Sequence, residues 1–245
     1  MTSNSSESDE PDRRARETDG ALIWHEGDMP YSPVFGDFFY SQAGGRSEAA
    51  HVFIGGNDLV ERFAAGGDLT IGELGFGTGL NFAETWRQWK SLAPAGARLS
   101  FQSFELLPLA RDAIGRALAA WPELDAERMA LASAWPDEPS GRVRIDFGRV
   151  ELVVHCGAAI DRLRDVKFSA DAWFLDGFSP ARNPEMWSAE LMAEMARHTA
   201  PGGTFATYSA AGWVRRNLQA AGFAVSKVAG HAGKRDMSRG VLGSS

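Results

Sequence analysis

A chain of 245 residues with 44% hydrophobic and 23% charged positions has the make-up of an ordinary globular protein, long enough for a sizeable core. No apolar run approaches the roughly 20 residues of a membrane helix, the polar N-terminus lacks the apolar stretch of a signal peptide, and a single cysteine excludes a disulfide within the chain. A cytoplasmic protein is therefore expected, and its net charge of −7 argues at first against nucleic acid, which ordinarily recruits an excess of Lys and Arg.

In chain order, residues 1–20, "MTSNSSESDEPDRRARETDG", are polar, acidic and nearly free of apolar side chains, the composition of a disordered tail. A single domain is expected over 21–245, opening on an aromatic lead-in at 21–66. Its first part, "ALIWHEGDMPYSPVFGDFFYS", lacks clean periodicity and reads as an irregular segment wrapped onto the domain. From residue 69 strands and helices alternate. "LTIGELGF" reads as a buried strand and "LNFAETWRQWKSL" as a helix with Leu80, Phe82, Trp86 and Trp89 near one face. "ARLSFQSFEL" is the next strand, and Pro108 is placed to open the helix "PLARDAIGRALAAW". Residues 122–141 read as an insertion with a short helix, and "RVRIDFGRVELVVHC" as a hairpin leading into a core strand that holds Cys156 as a buried thiol. Helix "AAIDRLRDV", strand "DAWFLDGF", a Pro-rich loop, helix "SAELMAEMARHTA", strand "TFATYS" and helix "AGWVRRNLQAAG" follow. "FAVSKVAG" and "DMSRGVL" are set to pair as an antiparallel hairpin. Alternating strands and helices imply a parallel sheet covered on both faces. A C-terminal pair with no helix between them fits a Rossmann-like, seven-stranded, mostly parallel methyltransferase sheet with one antiparallel strand.

The charge is uneven. Residues 211–245 hold Arg215, Arg216, Lys227, Lys234, Arg235 and Arg239 against one acid, Asp236, which makes that end either an anion-binding surface or a solvated basic face.

"TIGELGFGTGLNF" places Gly75, Gly77 and Gly79 between strand and helix, with Leu80 where a dinucleotide fingerprint wants its third glycine. Glycines let the chain turn sharply and let a ligand approach the main chain. Glu73 stands just before the turn and suits a ligand that brings positive charge; S-adenosylmethionine carries an ammonium and a sulfonium. Glu105 ends the next strand, where doubly wound proteins place a carboxylate for ribose hydroxyls. In "DAWFLDGFSPARNPEMW" an apolar strand delivers Asp176 to the ligand-binding edge of the sheet. Methyl transfer needs a nucleophile held in line with the methyl group. An amine nucleophile is largely protonated near neutral pH, so a carboxylate that holds the ammonium and directs its lone pair after proton loss is useful.

"ELGFGTGLNF", "DAWFLDGFSPARNPEMW", "TFATYSAAGWVRRNLQAAGF" and "GKRDM", with "GDMPYSPVFGDFFYS" and "VFIGGNDLVERF", resemble the methyltransferase domain of the MnmC family, also found alone as MnmD, over roughly residues 22–242. The resemblance implies a class I S-adenosylmethionine-dependent α/β fold and N-methylation of the 5-aminomethyl group of wobble uridine or 2-thiouridine in tRNA. It implies Asp176 as catalytic residue. Glu73, Gly75, Gly77, Gly79, Asn81 and Glu105 are expected at the cofactor. Tyr31, Ser32, Phe178, Arg182, Arg215, Lys234 and Arg235 are expected at the substrate, with Tyr31 and Ser32 an exposed pair in an aromatic lid and the C-terminal cations on phosphates. Departures from the family's usual sequence stand at Ala158, where relatives usually have an acid, at Arg182 for lysine and at Asp236 for glutamate. The bifunctional members continue into an FAD-dependent domain that removes a carboxymethyl group. The chain stops at Ser245 without a second glycine fingerprint, so neither FAD nor a metal is expected. Nothing in the sequence sets an oligomeric state. Two alternatives remain open at this level: a non-catalytic S-adenosylmethionine- or RNA-binding module, and a small-molecule amine N-methyltransferase.

Overall fold

The lead-in is more ordered than its sequence suggests. In the computed structural model, which describes residues 22–41, 44–231 and 236–243, it opens with strands β1 (Ile23–His25), β2 (Met29–Ser32) and β3 (Asp37–Phe38), an antiparallel meander. The expected irregular segment is thus a small sheet. Gly27 and Gly36 at φ +76° and +64° turn the chain between strands that are too short for periodicity to register. Helix α1 (Gly45–Ala49) runs on through a wider turn to Gly55, and α2 (Leu59–Ala65) follows. The tail at 1–20, Lys234 and Arg235 lie outside the described residues.

Next come β4 (Leu69–Leu74), α3 (Leu80–Leu92), β5 (Leu99–Glu105), α4 (Arg111–Leu118), α5 (Asp125–Ala134), β6 (Arg142–Asp146) and β7 (Val150–Cys156). The chain finishes with α6 (Ala159–Asp165), β8 (Ala170–Leu175), α7 (Ala189–Arg197), β9 (Thr199–Thr207), α8 (Gly212–Ala220), β10 (Phe223–Val228) and β11 (Met237–Leu242). The main sheet has the order β10-β11-β9-β8-β4-β5-β7-β6. The run from β9 to β7 is parallel, while β11 lies antiparallel between β9 and β10. The expected seven strands are present, and an eighth is added: the first arm of the predicted hairpin, β6, pairs antiparallel with β7 at the sheet edge. Arg142, Arg144 and Asp146 keep that edge charged, which discourages pairing with another chain.

Alternation along the strands sends neighbouring side chains to opposite faces. Phe101 and Phe174 join Phe63, Phe82 and Trp89 under α2 and α3, whereas Phe104, Trp173 and Phe205 join Leu191, Met195 and Leu218 under α7 and α8. The sheet is therefore covered on both faces, which explains why its central strands read as near-continuous apolar runs. Pro108 does not open α4, which starts at Arg111 after an extended Ala110. Ser188 does cap α7, its hydroxyl accepting the Leu191 N–H at 3.2 Å. The lead-in is fastened to the sheet's helices and strands. Arg46 pairs with buried Glu84 of α3 at 3.3 Å, the Tyr40 hydroxyl donates to the Ala117 carbonyl at 3.1 Å, and Arg62 donates to the Asp171 carbonyl at 3.1 Å. No helix among the described residues is long and apolar enough to cross a membrane.

Candidate active site

The chain runs from β4 through β5 to β7 on one side, then returns to build β8 and β9 on the other. Where strand order reverses, the flanking helices diverge and leave a crevice at the strands' carboxyl ends. Leu74 and Leu175 are register partners, so the glycine turn after β4 and Asp176 after β8 leave the sheet side by side. Gly75 sits at φ +92°, and a Cβ there would lie 2.9 Å from the Asp176 carbonyl oxygen. No side chain fits between these backbones. Gly79 at φ +76° delivers the chain into α3, packed over Phe76, which stacks on Trp135 at 5.0 Å. The insertion thus holds up the glycine turn through Trp135, whose indole N–H donates to the Leu109 carbonyl at 3.0 Å.

A cavity of about 910 Å³ opens over this edge, lined by the glycine turn, the loop after Asp176 and the lead-in. Its polar wall is acidic: Glu26, Asp37, Glu48, Glu105, Asp176 and Glu185 face it, and no Lys or Arg is among its described lining residues. Asp176 Oδ2 accepts from Asn81 Nδ2 at 2.7 Å and Oδ1 accepts its own loop's Gly177 N–H at 2.8 Å. Burial nevertheless pushes its carboxyl up to about 6, with the negative charges of Glu48 and Glu105 adding to the shift. Glu105 is tied to the turn, its oxygens accepting the N–H groups of Gly77 at 2.9 Å and Leu107 at 2.8 Å. Burial raises its carboxyl pKa too.

Glu73 is placed differently from the expectation of a cofactor-facing acid. It is fully buried behind the wall, with Oε2 accepting from Ser103 Oγ at 2.6 Å and Oε1 from Asn81 Nδ2 at 3.0 Å. Burial pushes its carboxyl up to about 8.

Of the residues expected at the substrate, Phe178 lines the cavity, stacked on Phe35 at 4.5 Å and edge-on to Phe39 at 5.2 Å. Ser32 is buried at 1% exposure instead of forming an exposed pair with Tyr31: its carbonyl and hydroxyl close the β2–β3 turn by accepting the N–H groups of Gly36 and Phe35. Tyr31 packs edge-on against His25 and Phe38 and does not line the cavity. Arg182 stands at the rim against Gly36, with Asp37 at 3.9 Å. Arg215 lies in the first turn of α8, away from the cavity lining, its Nε without a hydrogen-bond partner. Of the other C-terminal cations, Lys227 pairs with Asp236 and Arg239 with Asp58.

Tyr208 had been passed over. It directly follows β9, lines the cavity and donates its hydroxyl to the Gly177 carbonyl at 2.6 Å, clamping the turn after Asp176. Burial and the nearby Asp176 charge raise its phenol well above the usual range. Its place at a strand's carboxyl end was the available signal.

Residues 122–243, about half of the chain, match the family model described as S-adenosyl-L-methionine-dependent methyltransferase, and 89% of the chain aligns with proteins named for MnmC at close to half identity. The chain belongs to the S-adenosyl-L-methionine-dependent methyltransferase family. The methyltransferase is 49% identical over 224 residues to the tRNA 5-methylaminomethyl-2-thiouridine biosynthesis bifunctional protein MnmC of Pseudomonas aeruginosa, covering 34% of that protein. It is 48% identical over 219 residues to the protein of the same name from Chromohalobacter salexigens, covering 88% of this chain and 31% of the relative. It thus spans about a third of the length of these relatives. A crystal structure of MnmC2 from Aquifex aeolicus superposes with a TM-score of 0.72 at 25% identity, covering 89% of this chain and 68% of that one.

The methyltransferase's site fits the methyl donor. Among the described residues, Glu105 and Asp176 line the cavity with raised carboxyl pKa values and no Lys or Arg faces them, so a ligand carrying a sulfonium and an ammonium supplies the positive charge. Apolar Leu106, Ala158 and Ile160 also line the cavity, side chains suited to a purine face. Ala158 brings no side-chain hydrogen-bonding group to the cavity.

Proposed function

We propose that this methyltransferase N-methylates the 5-aminomethyl group of wobble uridine or 2-thiouridine in cytoplasmic tRNA, giving the 5-methylaminomethyl nucleoside. The observation that carries the reading is Asp176: a half-sheltered carboxylate beside the glycine turn, in a cavity whose described lining holds acids and no Lys or Arg. Such a wall suits an ammonium substrate. The names of the relatives supply the particular amine.

In this reading S-adenosylmethionine supplies the methyl group, held by the glycine turn and Glu105. Asp176 accepts a hydrogen bond from the substrate ammonium, takes up its proton and leaves the nitrogen lone pair aimed at the methyl carbon. The carbon–nitrogen bond forms as the carbon–sulfur bond breaks, and the sulfur keeps the electron pair. Tyr208 and Asn81 hold the carboxylate still during the approach. The Phe35–Phe178 pair at the mouth offers faces on which a flipped uracil stacks. Arg182 and Arg215 take phosphates outside the cavity, and Lys234 and Arg235 are assigned to the tRNA backbone by their charge.

The test is incubation with S-adenosylmethionine and tRNA from cells lacking this activity, followed by mass spectrometry of the nucleosides. A new 5-methylaminomethyl nucleoside that disappears with Asp176→Asn is expected. Methylation of free amines but not of tRNA would reassign the substrate, and no transfer despite cofactor binding would remove the catalytic reading.

A further inference from the structure

Glu73 and Asn81 are joined to Asp176 in a way that a purely cofactor-facing role does not require. The Asn81 amide nitrogen has two hydrogens and two carboxylate acceptors, Glu73 Oε1 at 3.0 Å and Asp176 Oδ2 at 2.7 Å. Turned the other way, the amide would bring its oxygen against both acids and converge three acceptors. Glu73 therefore fixes which end of Asn81 meets Asp176. Glu73 is itself fixed by the Ser103 hydroxyl, 2.6 Å from its other oxygen. Ser103 and Glu73 are fully buried and Asn81 is 7% exposed, so water competes little for the row's hydrogen bonds, and its end meets the cavity at Asp176. It also spans four elements, from β5 through β4 and α3 to the end of β8.

We propose that Ser103, Glu73 and Asn81 form a positioning chain for Asp176, in which Glu73 acts through the Asn81 amide on the amine-facing carboxylate and not by touching the cofactor. The proposal rests on the reading of Asp176 as the carboxylate that serves the amine. Asn81 and the Gly177 N–H are the donors that meet the Asp176 oxygens, and both favour its ionised form. The groups facing it from other elements oppose ionisation or are neutral: Glu48 from α1, Glu105 from β5, Glu73 from β4 and Tyr208 just after β9. Removing the amide thus does two things. It frees the carboxylate to turn from the substrate, and it moves the pH at which Asp176 ionises upward.

Three variants, Asn81→Ala, Glu73→Gln and Ser103→Ala, are compared with Asp176→Asn by calorimetric S-adenosylmethionine binding, by kcat at saturating substrates and by the pH profile of kcat. Asn81→Ala is expected to lower kcat about tenfold to a hundredfold, the cost of a misplaced reacting group, and to shift the rising limb to higher pH. Its cofactor Kd stays close to that of the parent. Glu73→Gln keeps an acceptor for Asn81 and a donor for Ser103; its cofactor Kd is likewise close to the parent's, and its kcat falls less than that of Asn81→Ala. Ser103→Ala shifts the limb in the same direction by less. A Glu73→Gln protein that loses cofactor affinity overturns the proposal, as does an Asn81→Ala protein with raised Kd and an unmoved limb. If Asn81→Ala does not fold, an unmoved limb in Ser103→Ala together with weakened cofactor binding in Glu73→Gln overturns it equally. Undiminished kcat in Asp176→Asn instead overturns the reading of Asp176 itself, and the chain with it.

Discussion

Replacing Gly75 by alanine separates two physical costs that usually arrive together, because a matched glycine is available. Gly75 and Gly67 have nearly the same φ, +92° and +95°. A Cβ at Gly67 meets nothing within 4 Å, whereas one at Gly75 meets the Asp176 carbonyl oxygen at 2.9 Å and the Gly177 Cα at 3.2 Å. Gly67→Ala therefore carries only the left-handed backbone strain, about 1–2 kcal/mol for a residue with a Cβ. Gly75→Ala adds an overlap with main chain that has no rotamer to escape into, about 1–3 kcal/mol on the scale of overpacked cores. At about 2–4 °C per kcal/mol for a domain of this size, Gly67→Ala lowers Tm by about 2–8 °C and Gly75→Ala by about 4–20 °C. The difference has a functional direction as well. The extra strain pushes the glycine turn away from Asp176, so Gly75→Ala weakens S-adenosylmethionine binding and kcat, and Gly67→Ala leaves both near the parent values. Differential scanning calorimetry with and without cofactor reads the first quantity, and titration calorimetry the second. Equal Tm losses in the two variants, with cofactor binding intact in both, would refute the argument that β4 and β8 meet at Gly75 with no room for a side chain.

Glu105→Ala removes the acceptor of the Gly77 and Leu107 N–H groups; at about 1.5–3 kcal/mol for hydrogen bonds to a charged group, it is expected to weaken cofactor binding about tenfold to a hundredfold, and an unchanged Kd would remove Glu105 from the site. The free protein loses stability as pH rises from the ordinary glutamate value of 4.5 towards about 8. Glu73 is protonated more readily folded than unfolded, so ionisation above its unfolded pKa favours the unfolded chain; thermal melts from pH 5 to 8 check the sign, and Glu73→Gln flattens the trend. A bound cation favours the ionised form of Asp176, so S-adenosylmethionine binding around pH 6 releases protons. Calorimetry in buffers of different ionisation enthalpy detects this, and identical heats in all buffers would contradict it. Affinity for tRNA falls with salt, and Arg215→Ala reduces the slope of log K against log salt by about one if that side chain meets a phosphate.

The core of the fold was legible because its signals are regular. "LNFAETWRQWKSL" is α3 residue for residue, and the C-terminal strand pair forms as read. The meander of the lead-in was not, because two- to four-residue strands separated by glycine turns leave no period to detect. In the site, the sequence placed Asp176 and the glycine turn at one sheet edge, since both follow apolar strands, and the structure brings them into contact. What strand alternation does not give is which way an acid at a strand end faces. Glu73 sits one residue before Leu74 and points inward to Ser103 and Asn81, while Glu105 closes its own strand and meets the cavity. Tyr208 was hidden for another reason: its role lies in a hydroxyl bond to a loop 31 positions away in sequence.

An acid-walled cavity serving a polyanion looks like a contradiction, and the scale of electrostatic forces resolves it. Two charges 4 Å apart near a protein surface interact with about 4 kcal/mol, but exposed charges more than about 8–10 Å apart are largely screened at physiological salt. The acids of the cavity therefore act on what enters it and weakly on what stays outside. Under the proposed function, only the aminomethyl end of the nucleotide is cationic, and it is the end that must reach Asp176. The phosphates repel the wall and are turned outward, where Arg182 stands at the rim and Arg215 on α8. The same wall disfavours an amine that already bears a carboxylate, since it would bring a negative charge against Glu48, Glu105 and Asp176 together. Orientation and selection then follow from one arrangement: positive charge is welcomed at the end of β8, and negative charge is kept beyond the mouth.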